Sequence, residues 1–255
     1  MILTNQDWLR LKYTNNYHST GAGDELIGII GEMPVLLEET EALLKQSNIS
    51  DPLIWALPLI RSYASIAQRL YFWQEQLRGT SDTPLYWAAA SQLSFPPENQ
   101  DAENLFPIIL QFRHLNDAIP LILSWAVLVQ LHCSLSRIYE LSEKDFSKNH
   151  ARNSLEDYQE WPSKAFCIME GHKLTRLLCQ SLEYCHNIDI GMLGPQACTY
   201  PQWIVRRYFY HRPGHERELK WCDDFRTMVG AGFRCGIKMM DFGGHTQQMM
   251  RNDFV

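Results

Sequence analysis

The sequence predicts an all-α fold, a single multi-helix domain of antiparallel packed helices. Three observations predict it. Apolar residues recur three and four apart through most of the chain, the spacing of one helical face. No stretch sustains the period-2 alternation of a half-buried strand, and no internal repeat is visible. Glycine and proline punctuate the apolar runs where one helix must end and another begin.

Residues 1–23 are polar, end in Gly21 and Gly23, and read as a flexible N-terminal arm. From Asp24 the pattern turns helical, with Leu26, Ile29, Ile30, Met33, Leu36 and Leu37 on one face and Glu38, Glu39 and Glu41 on the wet one. Pro34 should kink or restart this helix. A second long helix follows Pro52, with a kink or restart expected at Pro58. Its apolar face is broad enough to be buried on more than one side, and Gly79 ends it. Residues 79–104 read as a long structured loop with at most one short helix.

The run from Ile119 to Leu141 is expected to be the most central helix, with a capping opportunity at His114-Leu115-Asn116-Asp117. Its most apolar part, Ile119 to Cys133, is interrupted by Ser124 and Gln130 and is too short to span a bilayer. Residues 142–161 form a charged linker or insertion. Lys173 to Tyr210 then reads as a helix, a glycine-bounded corner at Gly191 and Gly194, and a second helix from Pro195. His211-Arg212-Pro213-Gly214 breaks it, and the last helix starts near His215. The helical domain covers 24–236, and a Met-rich tail covers 237–255.

The formal net charge of -6 argues against a polyanion as the main partner, because phosphate contacts need clustered lysine and arginine. The start of the chain lacks the basic-then-apolar pattern of a signal peptide. Seven cysteines occur, none as C-x-x-C, and most sit in apolar helical patterns. They read as reduced, buried thiols.

Candidate chemistry is sparse. Asp223-Asp224 lacks the third carboxylate one turn on that an acidic metal motif wants; the position is Thr227. His211 and His215 are four apart, but Pro213 and Gly214 between them deny the helix that would hold zinc. Arg206, Arg207, Arg212 and Arg217 make a small basic cluster, either a surface face or a greeting for an acidic partner. Gly230, Gly232 and Gly236 follow an apolar helix and not a strand, which fits helix termination better than a dinucleotide loop. His132 on its apolar helix reads as a hydrogen-bonded core residue. No catalytic residue, metal site or cofactor is expected.

Several short blocks stand in a familiar order: GEMPVLLEE (Gly31 to Glu39), PLYW (Pro84 to Trp87), SFP (Ser94 to Pro96), SWA (Ser124 to Ala126), CQSLEYC (Cys179 to Cys185), GMLGPQ (Gly191 to Gln196) and RELKWC (Arg217 to Cys222). Together they resemble the all-helical regulatory region of fungal zinc-cluster transcription factors. That resemblance implies a domain that regulates transcription through partner proteins, self-association or small effectors, and a nuclear location, with the cytoplasm as the alternative. The family reads DNA through a six-cysteine, two-zinc module. This chain has no cysteine before Cys133, so it cannot read DNA by that route.

The leading expectation is therefore a non-enzymatic effector domain. Its partners would be proteins of the transcription machinery or a DNA-binding regulator, with no direct nucleic acid, no membrane, and a homodimer among the arrangements open to it. Control of a specialised-metabolism gene cluster is a setting consistent with it. The alternatives are a small-molecule binder and a repurposed helical enzyme. For the first, Trp55, Trp73, Trp125, Tyr184 and Trp203 are the candidate contact residues, with plain core filling as the competing account. For the second, His114, Asp117 and His132 are the least implausible set.

Overall fold

A computed structural model describes residues 22–45, 52–93, 105–146 and 162–230. The expected N-terminal arm up to residue 21, most of the linker (147–161), the SFP block, Cys235 and the Met-rich tail lie outside the described residues. The all-α expectation holds. Eight α-helices and a single two-stranded ribbon make up the regular structure among the described residues. They fall into two compact units, one drawn from Met1–Asp82 and Leu131–Ile168, the other from Thr83–Gln130 and Met169–Val255.

In the first unit, α1 (Ala22–Ile30) and α2 (Met33–Lys45) are separated by a two-residue turn at Gly31 and Glu32, so Pro34 restarts the helix instead of kinking it. Proline suits that place because the first turn has no intrahelical N–H bond to lose. Arg69 donates to both oxygens of Glu32, at 2.8 and 2.9 Å, tying the turn to α3 (Pro52–Gly79). Both short helices pack on α3, which runs unbroken through Pro58.

Among the described side chains of α3, Ala56, Leu59, Ile60, Tyr63, Ile66, Ala67, Leu70, Trp73 and Gln74 are buried, a single stripe at three-and-four spacing. Burial is one-sided, unlike the broad face expected from the apolar count; Phe72 points out at 61% exposure. The tyrosine hydroxyl on this stripe is satisfied. Tyr63 Oη donates to Leu36 O at 3.1 Å and shares a 2.9 Å bond with Thr40 Oγ1. Burial raises the Tyr63 phenol above its ordinary value.

The helix α4 (Leu115–Phe146) contributes Leu131, Leu135 and Ile138 to this unit's core, and Arg137 pairs with Glu41 at 2.7 Å. It is longer than expected. Its Leu115–Leu141 segment is apolar and long enough to cross a bilayer, against the shorter run read from sequence, but 72% of that window is buried in the protein. A core helix has that profile too, and every residue from Ser124 to Val129 is buried, in keeping with its expected central place. Hydroxyls inside this packing bond back to their own helix: Ser124 to Leu121 O at 2.7 Å and Ser136 to His132 O at 2.9 Å.

The second unit holds the element that the sequence conceals. Strands β1 (Tyr86–Ala90) and β2 (Ile108–Phe112) pair antiparallel, Tyr86 opposite Phe112 and Ala90 opposite Ile108. One face of the ribbon seals an aromatic cluster. Tyr86 meets Trp125 edge-on at 5.4 Å, and Phe112 lies 6.4 Å from Trp125 and 5.1 Å from Tyr184. The helix α5 (Lys164–Cys185) holds the ribbon's end: Glu183 accepts from Ser91 Oγ at 2.6 Å and from the Gln92 N–H at 2.8 Å. After a short 3-10 turn (Ile188–Ile190) come α6 (Leu193–Ala197), α7 (Thr199–Tyr210) and α8 (Glu216–Gly230). The expected single helix from Pro195 is two pieces, with Pro201 in the first turn of the second. The expected break at 211–214 is present, with Gly214 at φ 86°. The two helices it joins pack together, with Arg206 Nε on Asp223 at 2.7 Å.

Candidate functional site

The corner between α5 and α7 is built from residues whose types leave little choice. Asn187 Oδ1 accepts from the Asp189 N–H at 3.0 Å and starts the turn. Gly191 sits at φ 71°, where a side chain would strain the backbone. Gly194 is pressed against the end of α5. A Cβ there would overlap the Cys185 carbonyl and come within 2.8 Å of Ile190 Cγ2. One turn on, the Cys198 N–H donates to Gly194 O at 3.1 Å. This closure leaves Met192 and Leu193, each 54% exposed, projecting from a fixed tip.

The corner is braced by groups far apart in sequence. His186 Nδ1 lies 2.8 Å from Leu182 O and its Nε2 lies 3.0 Å from Gln202 Nε2. A neutral ring with its proton on Nδ1 satisfies both: it donates to the carbonyl and accepts from the amide. Burial lowers the His186 pKa, opposed by the Leu182 bond. The Cys198 thiol is held well above its ordinary pKa by its hydrogen bond with Cys185 and by burial. Cys179 on α5 is raised by burial and by its hydrogen bond with Cys222 on α8. In the first unit, Cys167 is pushed up to about 12 by burial and the nearby Cys133. All six described cysteines are free thiols, and all but the half-buried Cys133 are buried, as expected from sequence.

A second cluster gathers around the α7–α8 turn. The His172 and His215 rings lie 5.1 Å apart, with Tyr208 at 6.2 Å from His172 and Phe209 at 5.5 Å from His215. Glu218 Oε1 is 3.4 Å from His215 Nδ1. Arg176 lies over Phe106 and Arg212 over Tyr208. Burial lowers the His172 pKa, then His215, Arg176 and Arg212 lower it further against Glu218.

The sign of the pH effect follows. The unfolded chain binds protons at His172 and His186 near the ordinary value of about 6.5, before the folded protein does. Their stabilisation is present above that pH and is lost as pH falls through it toward the depressed folded values. Melting temperature should therefore drop between pH 7.5 and pH 5, and a His172→Asn, His186→Asn variant should flatten the slope. An unchanged slope in that variant would place the acid sensitivity elsewhere.

The sequence-predicted contact residues divide between the units. Trp73 is buried in the first. Trp125 and Tyr184 are buried in the second, brought together around Phe112. Trp203 is half-buried, stacked on Tyr200 at 6.2 Å with Arg207 over its ring. The backbone of Trp55 lies in α3, and its side chain is outside the described residues. His132 bonds Tyr71 Oη at 3.1 Å in the first unit, whereas His114 and Asp117 belong to the second. Asp224 pairs with Lys220 at 2.9 Å, and Asp223 with Arg206. Among the described residues no group of three or more His, Cys, Asp or Glu could hold a metal ion. Sequence reasoning missed the His172–His215 and His186–Gln202 pairs, since neither stands at a spacing that any motif uses. Compared with protein families, with curated proteins and with solved structures, the chain finds no match.

Proposed function

We propose that the chain is a nuclear regulatory domain that acts on transcription through protein contacts. The observation that carries this reading is the apolar tip at Met192 and Leu193. Two large apolar side chains stand in water on a corner that Gly191 turns at positive φ and that packs through Gly194 against the end of α5. A packed corner with an exposed apolar tip is the kind of feature that anchors a protein interface. The order of the GEMPVLLEE, CQSLEYC and GMLGPQ blocks supports the same reading.

The test is a reporter assay with the full chain fused to an unrelated DNA-binding module. Reporter output should change severalfold. The pair Met192→Asp, Leu193→Asp should abolish that change while stability moves by no more than about 0.5 kcal/mol per exposed site. A fusion that leaves the reporter at background, and captures no transcriptional partner, would refute the reading.

A further inference from the structure

Among the described residues the β1–β2 ribbon has one edge that is taken and one that is open. The Ser91 N–H donates to Pro107 O at 3.0 Å, one residue beyond the Ala90–Ile108 pair. Hydrogen-bonded and non-hydrogen-bonded pairs alternate along an antiparallel ladder. Ala89–Ile109 and Trp87–Gln111 therefore bond inside the ribbon. Tyr86, Ala88 and Ala90 on β1, and Ile108, Leu110 and Phe112 on β2, turn their N–H and C=O groups outward. On the β2 side α5 answers, with Gln180 Nε2 donating to Ile108 O at 3.0 Å. On the β1 side the outward groups of Tyr86, Ala88 and Ala90 meet no partner among the described residues. Ala88 and Ala90 are exposed, and Trp87 is 48% exposed. The strand carries no charge, no lysine and no proline, the devices that usually blunt an edge.

We propose that this edge is a self-association surface, on which β1 pairs antiparallel with β1 of a second copy about a two-fold axis at Ala88. Parity sets the register. Only the even-numbered residues face outward, and full overlap of the strands requires Ala88 opposite Ala88 and Tyr86 opposite Ala90. Each such pair exchanges two backbone bonds. Trp87 then faces Ala89 of the second copy, a large ring against a methyl, so the small side chains admit the close approach that the bonds need. The uncharged edge brings no like charges together, although the chain is formally -6. Five residues of strand bury less than the roughly 1,200 Å² of a stable interface, so the dimer exchanges with monomer as concentration changes. This inference goes beyond the transcriptional reading and does not depend on it.

The test is sedimentation of the full chain over a concentration series. The weight-average mass should rise from 29.7 kDa toward twice that value. Ala88→Pro removes an outward N–H and none of the bonds inside the ribbon, and should abolish the rise with the circular dichroism unchanged. Should that variant fold poorly, Ala88→Lys sets like charges opposite each other on the axis and should have the same effect. Ala88→Cys should form a linked dimer with diamide, which takes up the two thiol hydrogens as the S–S bond forms. Ala90→Cys should not, since its counterpart is Tyr86. Monomer at every concentration, a rise that Ala88→Pro and Ala88→Lys both leave intact, or equal linking by Ala90→Cys would overturn the proposal. The first of these outcomes would assign the edge to an extended segment of a different protein.

Discussion

Replacing Gly194 by alanine should cost about 3 kcal/mol, at or beyond the upper end for overpacking a rigid site. The added methyl would overlap the Cys185 carbonyl, a backbone group at the end of α5, and reach within 2.8 Å of Ile190 Cγ2. A flexible side chain could swing away from such a contact; a carbonyl committed to the end of a helix cannot. Relief would require moving the corner, and with it the Cys198 N–H bond to Gly194 O. Gly28 in α1 is the control, because a Cβ there meets nothing within 4 Å. Gly28→Ala should stabilise by up to about 1 kcal/mol through helix propensity. Urea unfolding of the two variants gives both signs in one experiment. A Gly194→Ala protein as stable as the parent would mean that the corner is not closed.

Trp125→Ala should cost about 3–5 kcal/mol, the range for deleting a buried large aromatic. Trp125 is 1% exposed in the middle of α4 and touches both strands of the ribbon, through Tyr86 and Phe112. Its loss removes the surface against which the ribbon packs. An isolated two-stranded ribbon is marginal in water, so β1 and β2 should loosen with it. Amide exchange at Trp87 and Ile109 should speed up before exchange in α7 and α8 does. A loss below about 1 kcal/mol would show that the cluster collapses around the gap and is not the ribbon's support.

The helices were legible because their signals are local. Pro34 announces the restart after Glu32, Gly79 the end of α3, and Gly214 the break before α8, each through its own backbone chemistry. The corner was legible for the same reason, though the split of its second helix at Cys198 was not. The ribbon was hidden because Tyr86–Ala90 has three alanines in a row, good helix formers with no alternation to show. Only pairing with Ile108–Phe112 and the contact of Tyr86 with Trp125 make it a strand, and both are long-range events. The width of burial on α3 was overread, since Phe72 is apolar yet exposed, and apolar content alone does not say which way a side chain faces. The aromatic contact set mixed residues of two units, because a list of tryptophans carries no information about which core each one enters.

The thiols along α5 have a consequence for chemical damage. A thiol reacts as its anion; burial first of all raises the pKa of Cys167 and Cys179, and a hydrogen bond with Cys185 together with burial raises that of Cys198, so all three stay protonated. An electrophile in solution must wait until the helices part. The pace of alkylation at Cys167, Cys179 and Cys198 is then a clock for breathing motions, and whatever tightens the packing around them lengthens the life of that sulfur.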